Sequence, residues 1–223
     1  MFCHSGCVYS SSMNTLKTRK IIAVNGDVSK LTEIYRAAAG IIFEKGFDAT
    51  SMSDIAEAVG MTKAGIYHYI PGKKDLLFAL MSYAMDRLEM QVIAPALDIP
   101  NAEGRLQSII DNHVRLITGN HHEEGFGVLS ILTDELAGLT AENRKIIIAR
   151  KRAYFDLVRA TVEELKAQGK LKKVDATVAT FSIFGTIMWL SRWYKTSGNL
   201  TSEQIAEEIS NVLLNGMLQK KRN

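Results

Sequence analysis

Three observations on this chain predict an all-α protein. Apolar residues recur at three- and four-residue intervals over long stretches, the period that lines one face of a helix. Strand-like alternation is rare, and only three prolines interrupt 223 residues. Hydrophobic residues make up 47% of the chain, enough to give one large or two small domains a core. The pattern divides into about nine helices: a flexible tail over 1–28, a helix-turn-helix domain over 29–75, and a larger helical domain over 76–223.

Residues 1–28 carry no sustained period. Cys3 and Cys7 sit with His4 in a serine-rich leader that lacks the further ligands a metal or redox site needs. Met13 is an alternative translation start. Lys17, Arg19 and Lys20 form a basic cluster that is either a solvated tail or an arm reaching a DNA groove. Ser29 to Lys45 reads as the first helix, with Leu31, Ile34, Tyr35, Ala38, Ile41, Ile42 and Phe43 on its apolar face and Gly46 ending it.

Thr50 to Ile70 reads as two short helices joined by a tight turn. Ser51 is an N-cap, and Asp54 three residues on completes a capping-box-like start. Ile55, Ala56 and Val59 share one face. Gly60 stops the helix in the left-handed conformation that glycine adopts without a Cβ clash. Met61 plugs the turn, Thr62 caps the second helix, and Pro71-Gly72 ends it. Its outer surface presents Thr62, Lys63, Gly65, Tyr67, His68 and Tyr69, with Lys73 just beyond. Small, hydroxylated, aromatic and basic groups of this kind suit phosphates and base edges in a major groove. This is a helix-turn-helix whose second helix reads.

These residues resemble the N-terminal domain of the TetR family of bacterial transcriptional regulators. The resemblance rests on Phe43, Gly46, Phe47, Thr50, Ser51, Ile55, Ala56, Gly60, Lys63, Gly65, Tyr67, His68, Tyr69, Lys73 and Leu76, and covers Leu31 to about Leu80. Ile70 stands where the family usually has phenylalanine, and Pro71 where it is usually polar. The resemblance implies a homodimer on a palindromic operator, and a second domain that binds an effector.

Lys73 to about Ile93 is the fourth helix, ended by Pro95 and Pro100; the resemblance implies that it swings the reading domain. Five helices follow. Ala102 to Thr118 comes first, then a loop containing His121, His122, Glu123 and Glu124, then a short helix from Phe126 to Leu136 stopped by Gly138. Thr140 caps a long helix to Gln168 that Gly169 closes, its basic run Arg144, Lys145, Arg150, Lys151 and Arg152 forming a solvated face. Val174 to Thr196 is apolar nearly all round, and Thr201 caps the last helix. A helix apolar on every side must be buried on every side, which near a C-terminus favours pairing with a second copy in a four-helix bundle.

For DNA, Ser51, Thr62, Lys63, Ala64, Gly65, Tyr67, His68, Tyr69 and Lys73 are the contact set. Lys63 meets a guanine edge or a phosphate, Ala64 a thymine methyl, and Gly65 lets backbone approach the bases. By the resemblance, Tyr67 and Lys73 hold phosphate. His68 either faces DNA or turns back into the small domain. In the second domain, His113, Leu116, Phe126, Leu129, Tyr154, Leu157, Phe184, Met188, Trp189, Arg192 and Trp193 are candidates for an apolar cavity suited to a lipophilic effector, against ordinary core. Trp189 to Tyr194, with Gly198, Leu200 and Thr201, is similar to the matching segment of TetR-family repressors of fatty-acid and sterol-ring catabolism, which respond to coenzyme A thioesters. That similarity implies Arg192 on a phosphate and a tryptophan over adenine or acyl chain; the alternative is two tryptophans packing a dimer seam.

A net charge of +3 is too mild to diagnose nucleic-acid binding by itself. No run approaches the roughly 18 apolar residues of a membrane span, and no signal peptide is apparent, so a cytoplasmic protein is expected. Adjacent residues such as His121 and His122 rarely converge on one ion, and no metal or cofactor is expected. No nucleophile elbow, phosphate-binding glycine loop or H-E-x-x-H pair occurs, so no catalytic residue is assigned. The expectation is a ligand-released repressor. Its rivals are a DNA-bound interaction protein on the same fold without small-molecule control, and an enzyme on a lipophilic substrate.

Overall fold

The structure, a computed structural model, describes residues 28–119, 132, 135–195 and 197–219. Among the described residues the fold is all-α: the only β pairing is an isolated bridge between Leu171 and Leu218. The elements are α1 (Val28–Lys45), α2 (Met52–Ala58), α3 (Lys63–Tyr69), α4 (Lys73–Leu88), α5 (Ala102–Thr118), α6 (Ala141–Ala167), α7 (Ala176–Trp193) and α8 (Ser202–Met217). The expected helix Phe126–Leu136 lies mostly outside the described residues; its described end is a 3-10 turn, Leu136–Gly138.

The small domain is assembled by caps and a shared core. Ser51 accepts from the Asp54 amide while the Asp54 carboxylate accepts from the Ser51 amide, so both ends of a capping box are present. Thr62 accepts from the Gly65 amide and opens α3. Gly46 and Gly60 sit at φ +82° and +64°, where a Cβ would clash with its own backbone. Ile34, Ala38, Ile55, Ile66, Leu76 and Leu77 are fully or almost fully buried between these helices. Ile70 is 1% exposed, so an aliphatic side chain fills the place the family usually gives to phenylalanine.

α4 runs further than its prolines suggested. Past Leu88 the backbone widens into a π-turn, Glu89–Ile93, in which the Ala94 amide bonds to the Glu89 carbonyl, and helix resumes over Ala94–Leu97. Proline has no amide and its ring crowds the carbonyl four residues back. The wider turn ahead of Pro95 relieves that conflict, so the proline ends one stretch of α-helix without ending the rod.

In the larger domain α5 is central, packing against α6, α7 and α8. Leu106, Ile109, Ile110 and Val114 are fully buried there. α6 also packs on α4, and the contact is charged: Arg150 donates to Asp86 at 2.7 Å, Glu89 at 3.0 Å and the Ser82 carbonyl at 3.3 Å. The expected solvated basic face is therefore split. Arg144, Lys145 and Arg152 are exposed, but Arg150 turns onto α4, and Lys151 donates to the Leu132 carbonyl at 2.6 Å. Nearby acceptors on α4 offer Arg150 more than water does at that face.

α7 is buried on one side and exposed on the other in the single chain. Within one chain Ile183, Ile187 and Leu190 are buried, whereas Val178, Phe181, Trp189 and Trp193 are exposed, as is Val212 of α8.

Candidate functional site

Two features of the structure carry chemistry: the outer face of α3 and a cavity in the larger domain.

On α3, Ile66 is buried and turns the rest of the helix outward. Thr62, Lys63, Ala64, Tyr67 and His68 are exposed; Gly65 and Tyr69 are half-buried. His68 thus faces solvent, edge-on to the Tyr69 ring at 5.8 Å. Gly65 has a local reason to be glycine. A Cβ there would lie 3.2 Å from Thr62 Oγ1 and 3.3 Å from Met61 Cε, crowding the cap that starts the helix. Ser51 is exposed at the start of α2.

Two lysines hold this face in place. Lys45, at the end of α1, meets Asp54 at 2.6 Å; that hydrogen bond, followed by those from Ser51, draws the Asp54 carboxyl down to about 2. Lys73 donates to the Asp48 carbonyl at 3.1 Å and lies 4.3 Å above the Phe47 ring. Its half-buried stem braces the loop between α1 and α2.

The cavity measures about 680 Å³, within the range typical of small-molecule sites. α6 supplies one wall with Ile148, Tyr154 and Phe155, and α7 another with Phe181, Phe184 and Met188. Met85 and Leu88 of α4, His113 of α5, and Leu132 and Leu136 complete the apolar lining. Lys151, Arg152, Asp156 and Arg159 also line it; Arg152 and Arg159 are exposed, each near an acidic neighbour one turn on. The aromatic wall is tightly built: Tyr154 meets Phe184 edge-on at 5.2 Å, and Phe155 stacks on Phe184 at 5.8 Å. Tyr154 and His113 bond to one another at 3.0 Å. Burial lowers the His113 pKa to about 4 and raises that of Tyr154, so both are neutral at physiological pH.

Of the effector candidates, the structure gathers His113, Tyr154, Phe184 and Met188 around the cavity. Leu116, Leu157, Trp189, Arg192 and Trp193 do not line it. Trp189 is 64% exposed, and Trp193 and Arg192 are also exposed; the helical period turns Trp189 and Trp193 away from Phe184 and Met188, whereas Arg192 stands one turn beyond Met188 on the same side of α7. Phe126 and Leu129 lie outside the described residues, as do His121, His122, Glu123 and Glu124 of the candidate metal loop, and the basic cluster Lys17, Arg19 and Lys20. Phe155, Phe181, Ile148, Met85 and Leu88 were not singled out from sequence. Their signal was present in the i, i+3, i+7 spacing of Ile148, Lys151 and Phe155, but a charged residue within that stripe concealed it. No described helix is long and apolar enough to cross a membrane.

Comparison with known proteins covers both domains. Residues 34–80 match the model of bacterial regulatory proteins of the tetR family, and residues 100–217 the tetracyclin repressor-like C-terminal domain. The chain is 24% identical over 199 residues to the HTH-type transcriptional repressor KstR2 of Rhodococcus jostii (strain RHA1), covering 86% of this chain and 93% of that one. It is 25% identical over 194 residues to the fatty acid metabolism regulator protein of Bacillus subtilis (strain 168), covering 86% and 97%. Among solved structures, AibR in complex with isovaleryl coenzyme A and operator DNA is 39% identical with a TM-score of 0.74, covering 83% of this chain and 98% of that one. These relatives are transcriptional regulators and not enzymes. With both halves matched and the reading helix facing outward, the chain belongs to the TetR family of bacterial transcriptional regulators.

Proposed function

We propose that this TetR-family repressor works as a homodimer on a palindromic operator and is released by a lipophilic acyl-coenzyme A thioester. The observation that carries the reading is the cavity itself. An aromatic and aliphatic interior suits an acyl chain, and the exposed Arg152 and Arg159 beside it suit the phosphates of a coenzyme A moiety. AibR, whose structure contains isovaleryl coenzyme A, supports the same class of effector. For DNA, Lys63, Ala64 and Gly65 meet base edges, while Ser51, Thr62, Tyr67, His68, Tyr69 and Lys73 set register on the backbone or at the groove wall. The exposed stripe on α7 with Val212 of α8 meets the same surface of a second copy, which puts two α3 helices about one DNA turn apart or a multiple of it. Trp189 and Trp193 belong to that seam, and Arg192 to its rim. An interaction protein without small-molecule control would have no need of an open cavity of this size.

The test is an electrophoretic shift of operator recovered by selection from random duplexes. Isovaleryl-coenzyme A, longer acyl-coenzyme A species and the matching free acids are added in turn. Release by thioesters and not by acids is the expected result. Release by none of them would remove the small-molecule part of the proposal and leave the DNA-binding repressor.

A further inference from the structure

Deep in the apolar wall of the cavity lies one polar pair. His113 of α5 and Tyr154 of α6 are 5% and 4% exposed, and their rings meet at 5.6 Å with Nδ1 and the hydroxyl 3.0 Å apart. Among the described residues neither side chain has another hydrogen-bond partner.

Hydrogen counting decides what the pair offers. Neutral histidine carries one N–H and tyrosine one O–H, so the pair holds two donor hydrogens. One is used between them. With hydrogen on Nε2, the tyrosine donates to Nδ1 and the Nε2–H is left over. With hydrogen on Nδ1, the histidine donates and the tyrosine O–H is left over. Either tautomer leaves one donor of this neutral pair without a protein partner among the described residues, beside the cavity, and sealing such a donor under an apolar ligand is costly.

We infer that the His113–Tyr154 pair is the specificity element of the effector site, reading a single uncharged carbonyl oxygen on the ligand. The inference rests on the proposed effector site and deepens it. A thioester, ester or ketone oxygen accepts the spare hydrogen. A ligand of the same shape without that oxygen leaves the donor buried and unmatched. A carboxylate would have to shed its water at this depth beside an uncharged pair, with Arg152 and Arg159 out at the exposed side.

Calorimetric titration of the full chain with isovaleryl-coenzyme A and with its thioether analogue, S-isopentyl-coenzyme A, isolates the carbonyl. The parent is expected to favour the thioester by about tenfold or more, the effect of one buried donor satisfied or not. The double variant His113→Leu with Tyr154→Phe removes both hydrogens, and replacing both partners with apolar groups of similar shape leaves stability nearly unchanged, which a melting curve checks. In it the preference should vanish while the thioether binds at least as tightly as to the parent. Equal binding of the two ligands by the parent, or a preference that survives in the double variant, overturns the inference with the effector site intact. Binding of neither ligand by the parent overturns the effector reading, and the specificity element with it.

Discussion

The carboxylate of Glu135 accepts the backbone amide of Phe47 at 3.0 Å, joining the two halves of the molecule at one point. Leu136, the next residue, lines the cavity; Phe47 lies under Lys73 at the entry to the helix-turn-helix. On the proposed effector reading, a group seated against Leu132 and Leu136 is one residue from the bond that holds the turn at Phe47. Replacing Glu135 with alanine is expected to reduce the factor by which isovaleryl-coenzyme A weakens operator binding by about fivefold or more, the scale of an allosteric coupling. Affinity for the thioester itself should stay close to the parent's. Glu135→Gln keeps an acceptor and should restore most of the coupling. Operator titrations with and without thioester measure this, and an unchanged ratio in the alanine variant would remove Glu135 from the path.

Gly138 tests the same junction by shape. A Cβ there would lie 2.6 Å from the Phe47 ring and 2.7 Å from a Leu77 methyl, both of them buried. Gly138→Ala is expected to destabilise the protein by about 1–3 kcal/mol, the usual consequence of overpacking. Urea unfolding measures it. Gly185→Ala, at a position where a Cβ meets nothing within 4 Å, is the control and should not lower stability by a comparable amount.

His113 makes stability depend on pH in a stated direction. Its folded pKa is about 4 against 6.5 for the free side chain, because burial disfavours the charged ring. Between those values the unfolded chain binds a proton that the folded one does not, so stability rises with pH through this window and falls on acidification. The full difference is about 3 kcal/mol, an order-of-magnitude figure for a buried group. Unfolding midpoints between pH 4 and 7 should slope accordingly, and more weakly in His113→Leu. An equal slope in the variant would assign the effect to other groups.

On α3, Lys63 is exposed and makes no ion pair among the described residues, which suits its charge to DNA. Lys63→Ala should weaken operator binding by about 1–3 kcal/mol, relax the preference at the base pair it meets, and lower the salt-dependence slope by at most about 1. Lys73→Ala acts differently. It removes a brace on Phe47 and Asp48 as well as a charge, so its effect should exceed that of Lys63→Ala on thermal stability. Tyr67→Phe, which loses only a hydroxyl, should weaken binding to all sequences alike. Filter binding over a salt series checks each. A variant of Lys63 with the parent's affinity and slope would take that lysine out of the interface.

The parts of this molecule that could be read from sequence are those set by local rules. The Ser51–Asp54 box, the Thr62, Thr140 and Thr201 caps, and the positive-φ glycines Gly46, Gly60 and Gly169 each follow from residues within a few positions of one another. What could not be read depends on distance in the chain. Arg150 leaves the solvent because Asp86 and Glu89 stand opposite on another helix, and no window of sequence holds all of them. The junction of Glu135 with Phe47 spans 88 positions. Pro95 misled because a proline normally ends a helix, whereas here a π-turn over Glu89–Ile93, with Val92 and Ile93 buried, precedes it and the helix continues. Trp189 and Phe184 lie five residues apart in one apolar helix, and only the third dimension sends one outward and the other to the cavity.

The exposed stripe of α7 yields the prediction on which the proposed assembly stands. Val178, Trp189 and Trp193 follow helical spacing along one side, and Val212 of α8 is exposed as well. Left in water, a row of large apolar groups is costly at about 25 cal/mol per Å² and invites aggregation. Covered by the same row of a second copy, it becomes the centre of an interface, where tryptophan contributes most. Trp189→Asp combined with Val212→Asp places two carboxylates from each chain in that seam, four facing one another across the twofold axis. The pair of substitutions should yield a monomer by light scattering, with a circular dichroism spectrum close to the parent's because both side chains are exposed in the single chain. Operator binding should then weaken by about 100-fold or more, since the second half-site no longer benefits from the first. A variant that remains dimeric would place the seam on another surface. One that becomes monomeric yet binds the operator as tightly as the parent would separate dimerisation from recognition.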